Sequence, residues 1–351
     1  MLSVFSMDQS EQWDSVVRSF KDFDVYYLSG YVRAFELHGD GTPMLLYYDD
    51  GELHGINVVM KRDVSQDPHF VGRLAAERYY DLATPYGYGG WLFEGQAQDQ
   101  ALISKFQKTY LDWCVENRIV SEFVRFHPVL ENVSGANETC YDTAFLGNTV
   151  AIKLDQEEAI WERFSSKNRG HIRKADKEGV TVRRETSKEA FDVFRQIYEK
   201  TMDHDEAASY YYFKEDFFES IRNDLEGHYT LFTAYLEDQP IASAIMLFAN
   251  QYMNYHLSGQ LLEYRKYAGT NKILYEAAKW GCANGFSWLH LGGGVGAQDG
   301  PLYTFKKSFY MKGEDKLFYI GRKILNPGSY DELVSMREDE PQQAFFPKYR
   351  A

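Results

Sequence analysis

The stretch His290 to Phe309, H-L-G-G-G-V-G-A-Q-D-G-P-L-Y-T-F-K-K-S-F, concentrates the residue types that can do chemistry. A short apolar run, Phe286 to Leu291, reads as a buried strand that empties into Gly292, Gly293, Gly294 and Gly296. There a ligand can approach the backbone closely, because no Cβ intervenes. Asp299 follows, then a short helix over Leu302 to Phe309, with Tyr303 early in it, Phe305 and Phe309 sharing a face, and Lys306 at the edge of that face. Glycines after a strand, followed by a helix carrying a lysine, can hold a phosphate or carboxylate through backbone N–H groups and one fixed cation. A tight turn with a solvated lysine is the other reading of the same residues.

The rest of the chain must position that stretch. At 351 residues it is long for a single core and suggests two domains. Hydrophobic residues at 44% mark an ordinary globular protein, and 27 Tyr and 24 Phe suit sheet faces and substrate grooves. A net charge of −14 argues against broad nucleic-acid binding while leaving room for a local basic patch. Cys114, Cys140 and Cys282 have neither disulfide nor zinc-ligand spacing, so no metal is expected. No apolar run approaches the ~18 residues of a membrane-spanning helix, and the first residues lack a signal-peptide pattern, so a cytoplasmic location is expected.

Along the chain, Glu11–Phe20 and Tyr26–Leu37 have helical spacing, and Pro43–Tyr48 and Leu53–Met60 form a hairpin around Asp50-Gly51. Arg62–Asp67 reads as loop. A strand ending at Pro85 runs into a loop of alternating Tyr and Gly, in which Tyr86 and Tyr88 either pack beneath a crossover or wall a groove. A helix over Asp99–Val115, a strand over Glu122–His127 and a polar connection over Glu131–Thr143 complete the first half. The second half reads as a strand (Asn148–Leu154), one long helix (Glu157–Lys177), a strand (Val180–Arg184) and helices over Lys188–Met202 and Phe213–Leu225. A three-stranded meander over Tyr229–Ser258 and a helix over Asn271–Asn284 then lead into the glycine-loop strand. The helices ending W-C-V-E-N (Trp113–Asn117) and W-G-C-A-N (Trp280–Asn284), each after a hairpin and before a strand, mark an internal repeat. Helix pair, antiparallel meander, helix, strand, helix is the element order of the GNAT acyltransferase fold. The expected class is therefore α+β with mixed sheets, as two tandem GNAT-like domains over 1–144 and 145–330 and a peripheral tail over 331–351.

S-S-K-N-R-G-H-I-R-K-A-D-K-E-G-V (Ser165–Val180), Y-H-L-S-G (Tyr255–Gly259) and the His290–Phe309 stretch together resemble the Fem family, and equally the broader group of GNAT N-acetyltransferases. The resemblance covers most of the second half and extends weakly over the first. It implies a tandem-GNAT aminoacyltransferase without a metal or bound cofactor. Such an enzyme takes an amino acid from aminoacyl-tRNA and joins it to an amine of a cell-wall precursor. It implies that Lys306, in F-K-K, stabilises developing negative charge, and that Tyr210–Tyr212, Tyr255 and the Tyr86–Tyr88 loop line the acceptor site.

Acyl transfer to an amine needs a deprotonated amine, a polarised carbonyl and help for the leaving group. In a GNAT fold the carbonyl meets strand N–H groups where the fourth and fifth strands splay apart, for which Tyr255–Ser258 and Leu289–Gly292 are the candidates. His256 is the titratable group for the amine proton, or else a hydrogen-bonded strand histidine. Asp299 could instead orient the amine. For the donor, Y-R-K-Y-A-G-T-N-K departs from the usual CoA-binding loop, yet Gly269, Thr270 and Asn271 could cap a helix and hold a phosphate. Lys167, Arg169, Arg173, Lys174 and Lys177 form a basic patch on one long helix, with Arg169, Arg173 and Lys177 on a shared face, either solvated or placed for a tRNA acceptor end or a precursor diphosphate. An N-acyltransferase using acetyl-CoA on a sugar amine or small metabolite, and a non-catalytic scaffold, are the competing readings.

Overall fold

The computed structural model describes residues 1–338 and 345–351. The chain divides into two units, Met1–Leu146 with Phe318–Ala351, and Gly147–Leu317.

Unit 1 begins with β1 (Leu2–Phe5), α1 (Ser10–Ser19) and α2 (Ser29–His38). α1 buries Trp13 and Val17, and the Trp13 indole donates to the Tyr27 carbonyl at 2.8 Å. α2 stops at Gly39, whose φ of 102° any residue with a Cβ would resist. The hairpin of β2 (Thr42–Asp49) and β3 (Leu53–Asp63) turns through Gly51 at φ 89°. β3 runs further than the polar sequence suggests, so Arg62–Asp67 is not a plain loop: it completes the strand and makes a 3₁₀ turn that buries Val64. β4 (Tyr80–Ala83), β5 (Leu92–Gly95), α3 (Gln100–Glu116), β6 (Ile119–Arg125) and the short α4 (Ala136–Cys140) follow. The strand order is β1-β2-β3-β4-β6, with β5 paired to β3 and β4 parallel to β6.

Unit 2 takes its first strand from β7 (Asp142–Lys153). The expected helix over Glu157–Lys177 is two helices, α5 (Glu157–Arg163) and α6 (Ser166–Lys177). Phe164 is extended and buried, and Ser165 caps α6 by accepting the Asn168 N–H at 3.0 Å, so the helical register restarts there. Then come β8 (Val180–Glu185), α7 (Lys188–His204), α8 (Glu215–Asp224), β9 (Tyr229–Leu236), β10 (Gln239–Ala249), β11 (Tyr252–Gln260), α9 (Gly269–Ala283), β12 (Trp288–Gly292) and α10 (Pro301–Lys307). The strand order is β7-β12-β11-β10-β9-β8, antiparallel throughout except for β11 with β12. Its core joins α6 and α9, through Ile172, Ala175, Ile273, Leu274, Ala277 and Ala278, to small residues of β9 and β10.

The sequence places residues 145–330 in the second domain and 331–351 in a peripheral tail; the structure corrects both. From Phe318 the chain belongs to unit 1. β13 (Lys316–Ile324) pairs antiparallel with β6, and α11 (Pro327–Ser335) buries Tyr330 and Leu333 with Val64, Phe70, Val120 and Tyr349. Part of the expected tail, residues 339–344, lies outside the described residues. Near the end, Arg350 Nε donates to the buried Asp81 carboxylate at 2.5 Å, and the Tyr349 hydroxyl does so at 3.0 Å. Arg62 Nε reaches the other oxygen at 2.7 Å. The aromatic residues Tyr330, Phe346 and Tyr349, which look peripheral, thus belong to one wall of a core.

Burial alone would push the Asp81 carboxyl up, but the Arg62 and Arg350 guanidiniums outweigh it and hold it below the usual carboxylate range. A depressed carboxyl stabilises above its unfolded pKa and loses that contribution as pH falls through the folded one. Arg350→Met is therefore expected to lower the unfolding free energy by about 2–3 kcal/mol at pH 7, with the deficit narrowing below about pH 4. Urea melts at pH 7 and pH 3 check this, and equal midpoints at pH 7 would remove the role given to Arg350.

Candidate active site

β11 and β12 pair through three positions, Tyr252 with Trp288, Met253 with Leu289 and Asn254 with His290, and then stop. On its other edge β11 slips register against β10: Met246 faces Tyr255 while Ile245 faces Leu257. His256 is therefore the extra residue of a β-bulge, which bends the strand. β12 slips in the same place, Gly292 rather than Leu291 facing Val150 of β7. The two strands part beyond Asn254 and His290. Tyr255–Ser258 and Leu291–Gly292 then border the opening, while Leu289, expected there, is still paired.

The departing end of β11 is held firmly. A Cβ on Gly259 would lie 2.8 Å from Thr201 Oγ1 of α7, so only glycine allows that helix so close. The Tyr255 hydroxyl donates to Ser258 Oγ at 2.6 Å, and burial pushes the Tyr255 phenol up to about 12. Burial also pushes His256 down to about 3, which keeps the ring neutral at pH 7 and makes it a poor acceptor of an ammonium proton. Its placement at the bulge does not suit the general-base role expected for it.

Past β12, a Cβ on Gly293 would lie 2.8 Å from the Asn148 carbonyl, and one on Gly294 would collide with the Gln298 carbonyl. Gly292 has a φ of 75°. The chain's own tight path accounts for these glycines. Lys306 of α10 points back at this loop and donates to the Gly293 carbonyl at 2.7 Å. Among the described residues no carboxylate pairs with it, and burial brings its amine down to about 8. The neighbouring Lys307 differs: it donates to Asp315 at 2.6 Å, and the Tyr303 hydroxyl takes the other oxygen of Asp315 at 2.6 Å. Tyr303 is thereby committed to positioning α10. Asp299 is exposed and makes no hydrogen bond or ion pair with the described residues. Lys306 and Gly293 are brought together.

At the other end of the opening, α9 starts from Ala268, whose φ of 56° is left-handed and which offers no side-chain cap. Gly269 packs closely, since a Cβ would lie 3.2 Å from Ala242 Cβ and that neighbour would have to give way. Thr270 donates to Gln260 Oε1 at 2.9 Å and Asn271 to Asn168 Oδ1 at 2.8 Å, so neither side chain is free for a phosphate. What remains is the positive helix end itself, beside Gln260 Nε2, a buried donor without a described acceptor. Arg169 Nη1 donates to the Phe164 carbonyl at 2.6 Å, closing the end of α5, while Arg173 lies over Trp161 at 5.2 Å. The exposed cations of α6 are Lys167, Arg173, Lys174 and Lys177, with His171 beside them.

The repeat gives unit 1 an equivalent opening beyond Ala83 and Phe123, and the chain itself fills it. Thr84 N–H donates to Phe123 O at 3.0 Å and Gly89 N–H to Arg125 O at 2.8 Å, while Arg125 Nε holds Gly87 O at 2.8 Å. Tyr86 stacks on Phe35 at 5.6 Å, and Tyr88 packs edge-on to Tyr26 at 5.6 Å and Phe318 at 5.3 Å. Both tyrosines pack beneath this crossover, the simpler of the two expectations. α3, the counterpart of α9, is capped by Asp99, whose carboxylate accepts from Ala101 N and Leu102 N. An anion is repelled there. Tyr210, Tyr211 and Tyr212 in unit 2 are 37%, 37% and 39% exposed, and their segment is held by Tyr198 OH to Tyr211 O at 3.0 Å and Tyr212 OH to Asp203 at 3.0 Å. The roles of Asn168, Asp315 and the bulge were missed from sequence; only the Asn within S-S-K-N-R-G, too short to be solvated scenery next to a cap, hinted at any of them.

Residues 163–307 match the family described as an acetyltransferase (GNAT) domain. A crystal structure of FemX is similar at a TM-score of 0.67 and 15% identity, covering 95% of this chain and 99% of that one. A conserved protein of unknown function from Bacteroides thetaiotaomicron is similar at 0.58 and 9%, covering 92% and 100%. The C-terminal DUF2156 domain assigned to a lysylphosphatidylglycerol synthetase of Agrobacterium fabrum is similar at 0.55 and 12%, covering 94% of each. No curated protein sequence matches the chain. At such identities the likeness is one of fold: the chain as a whole is FemX-like in fold, and residues 163–307 of its second unit match the acetyltransferase (GNAT) domain. No helix among the described residues is long and apolar enough to cross a membrane.

Because the folded chain holds Lys306 near 8 against 10.5 for the free amine, it binds fewer protons than the unfolded chain between those values, and stability rises with pH across them. Below pH 8 the full penalty persists. Lys306→Met is expected to be more stable than the parent at pH 7, by about 1–3 kcal/mol, with the gap closing toward pH 10. Thermal melts at pH 7 and pH 10 test it; a variant less stable at pH 7 would show that the amine is not desolvated.

Proposed function

We propose that this chain is a Fem-type aminoacyltransferase that moves an aminoacyl group from aminoacyl-tRNA to an amine of a peptidoglycan precursor. One observation carries the proposal: Lys306, with no carboxylate partner among the described residues, is held by the Gly293 carbonyl where β12 leaves its neighbour. An ammonium in that setting strengthens its interaction with any charge that develops beside it, because little water competes. In the reaction the acceptor nitrogen bonds to the acyl carbon, the ester C–O bond breaks, and the proton lost by the amine ends on the leaving hydroxyl. N–H groups bordering the opening would polarise the acyl carbonyl, and Lys306 would stabilise the oxyanion and the departing oxygen. The FemX-like fold over the whole chain supports the acceptor class. The exposed Lys167, Lys174 and Lys177 on α6 support a phosphate-bearing donor, and a cytoplasmic setting goes with it.

One feature favours a second reading. The uncapped start of α9, beside Gln260 Nε2, would suit the pyrophosphate of acetyl-CoA. Thermal-shift titration separates the two: stabilisation by a nucleotide-linked muramyl pentapeptide and not by acetyl-CoA supports the proposal, and the reverse overturns it.

Under the proposal, Lys306→Met lowers transfer by about 10²–10³-fold with little change in acceptor binding. Transfer also declines as pH rises through about 8, where the ammonium is lost. Reversing Lys167, Lys174 and Lys177 to Glu weakens tRNA use, flattens its salt dependence and spares muramyl binding. Salt-insensitive tRNA binding by the parent would refute the donor assignment.

A further inference from the structure

Among the described residues a buried polar chain crosses unit 2 beneath the opening. In the first turn of α9, Asn271 Nδ2 donates to Asn168 Oδ1 at 2.8 Å. Asn168 Nδ2 in turn donates to the Ser308 carbonyl at 3.4 Å, an oxygen that also accepts the Ser165 N–H at 2.8 Å. Ser165 Oγ accepts the Asn168 N–H, and Ser308 Oγ donates to the Phe305 carbonyl at 2.6 Å. The starts of α6 and α9 and the end of α10 therefore meet at two amides that are 2% and 8% exposed.

Such a junction is discrete. A small shift of α10 would strip partners from buried amides, and a buried amide left unsatisfied keeps its desolvation penalty with nothing to offset it. Two apolar residues of similar shape could fill the same space without directional demand. Polarity there specifies a position more than it adds stability. Lys306 stands two residues before Ser308, so the register of α10 decides where its ammonium lies. The remaining faces of α10 are fixed separately, by Lys307 and Tyr303 on Asp315 and by Phe309 edge-on to Phe164 at 5.1 Å.

We infer that Asn168 and Asn271 are positioning residues that hold the Lys306 ammonium in register with the N-terminal end of α9. The inference rests on Lys306 as the charge-stabilising group. The α9 end is thereby measured against the lysine through two amide side chains. This also assigns the Asn of the S-S-K-N-R-G motif a task distinct from the basic residues around it.

The test is competitive acetylation of the whole protein with acetic anhydride at pH 8, read by mass spectrometry as the rate at Lys306 relative to Lys307. Asn168→Ala and Asn271→Ala are each expected to change that ratio by at least about threefold, equivalent to half a pKa unit, and to lower the melting temperature. The double variant Asn168→Leu/Asn271→Leu is expected to regain melting temperature while the ratio stays displaced. An unchanged ratio in the single variants, or a ratio restored with stability in the double variant, would overturn the inference by making the amides merely structural. Labelling needs no substrate, so it reports lysine placement even if the transfer assays fail.

Discussion

Adjacent parallel strands share slanted hydrogen bonds that normally continue as far as both strands do, and in unit 2 the bonds between β11 and β12 end after Asn254 and His290. The opening of that ladder is the constraint on which the site depends. It is enforced from both outer edges, by the bulge at His256 against β10 and by the slip at Gly292 against β7. It is then kept open by a helix seated on Gly259 and by a lysine tied to Gly293. Backbone groups freed from pairing are the site's main asset, and few side chains are left over. Thr270, Asn271, Arg169 and Tyr303 all have internal partners.

Much of this was legible from residue order. Element types and the meander followed from periodicity and turn residues, and the repeat from two helix ends that each run from a Trp to an Asn. The opening was placed to within two residues. What escaped was anything decided by contacts across the chain. Residues 318–351 look like an ending, but β6 needs an antiparallel neighbour and Asp81 needs cations, and both come from there. The helix over Glu157–Lys177 reads as continuous because its apolar spacing barely falters; only Ser165, a good cap, marks the break. Arg169 looked like a ligand for phosphate because a cation near a helix start so often is, whereas its nearest unsatisfied oxygens belong to α5.

The two units show how one plan can carry opposite electrostatics. In unit 2 the helix after the meander begins without a side-chain acceptor and leads to an open seam. In unit 1 the corresponding helix begins on the Asp99 carboxylate, and the seam is filled by the Thr84–Trp91 segment. Two local changes, one acidic cap and one inserted aromatic loop, turn a ligand-receptive edge into a packed one without altering the order of strands. His256 and Lys306 repeat the lesson at the scale of single residues: desolvation silences the imidazole, which is left neutral, yet leaves the amine charged at neutral pH.

The return of β13 to unit 1 bears on how the chain is made. Domains usually fold in the order in which they leave the ribosome. In this chain all of Gly147–Leu317 emerges before the strand that covers β6 and before Tyr349 and Arg350 reach Asp81. The unit that starts first is completed last, and until then the hydrogen-bonding edge of β6 stays uncovered, a surface on which chains can stick to one another. Synthesis thus favours early closure of the second unit, while the first waits for its last strand.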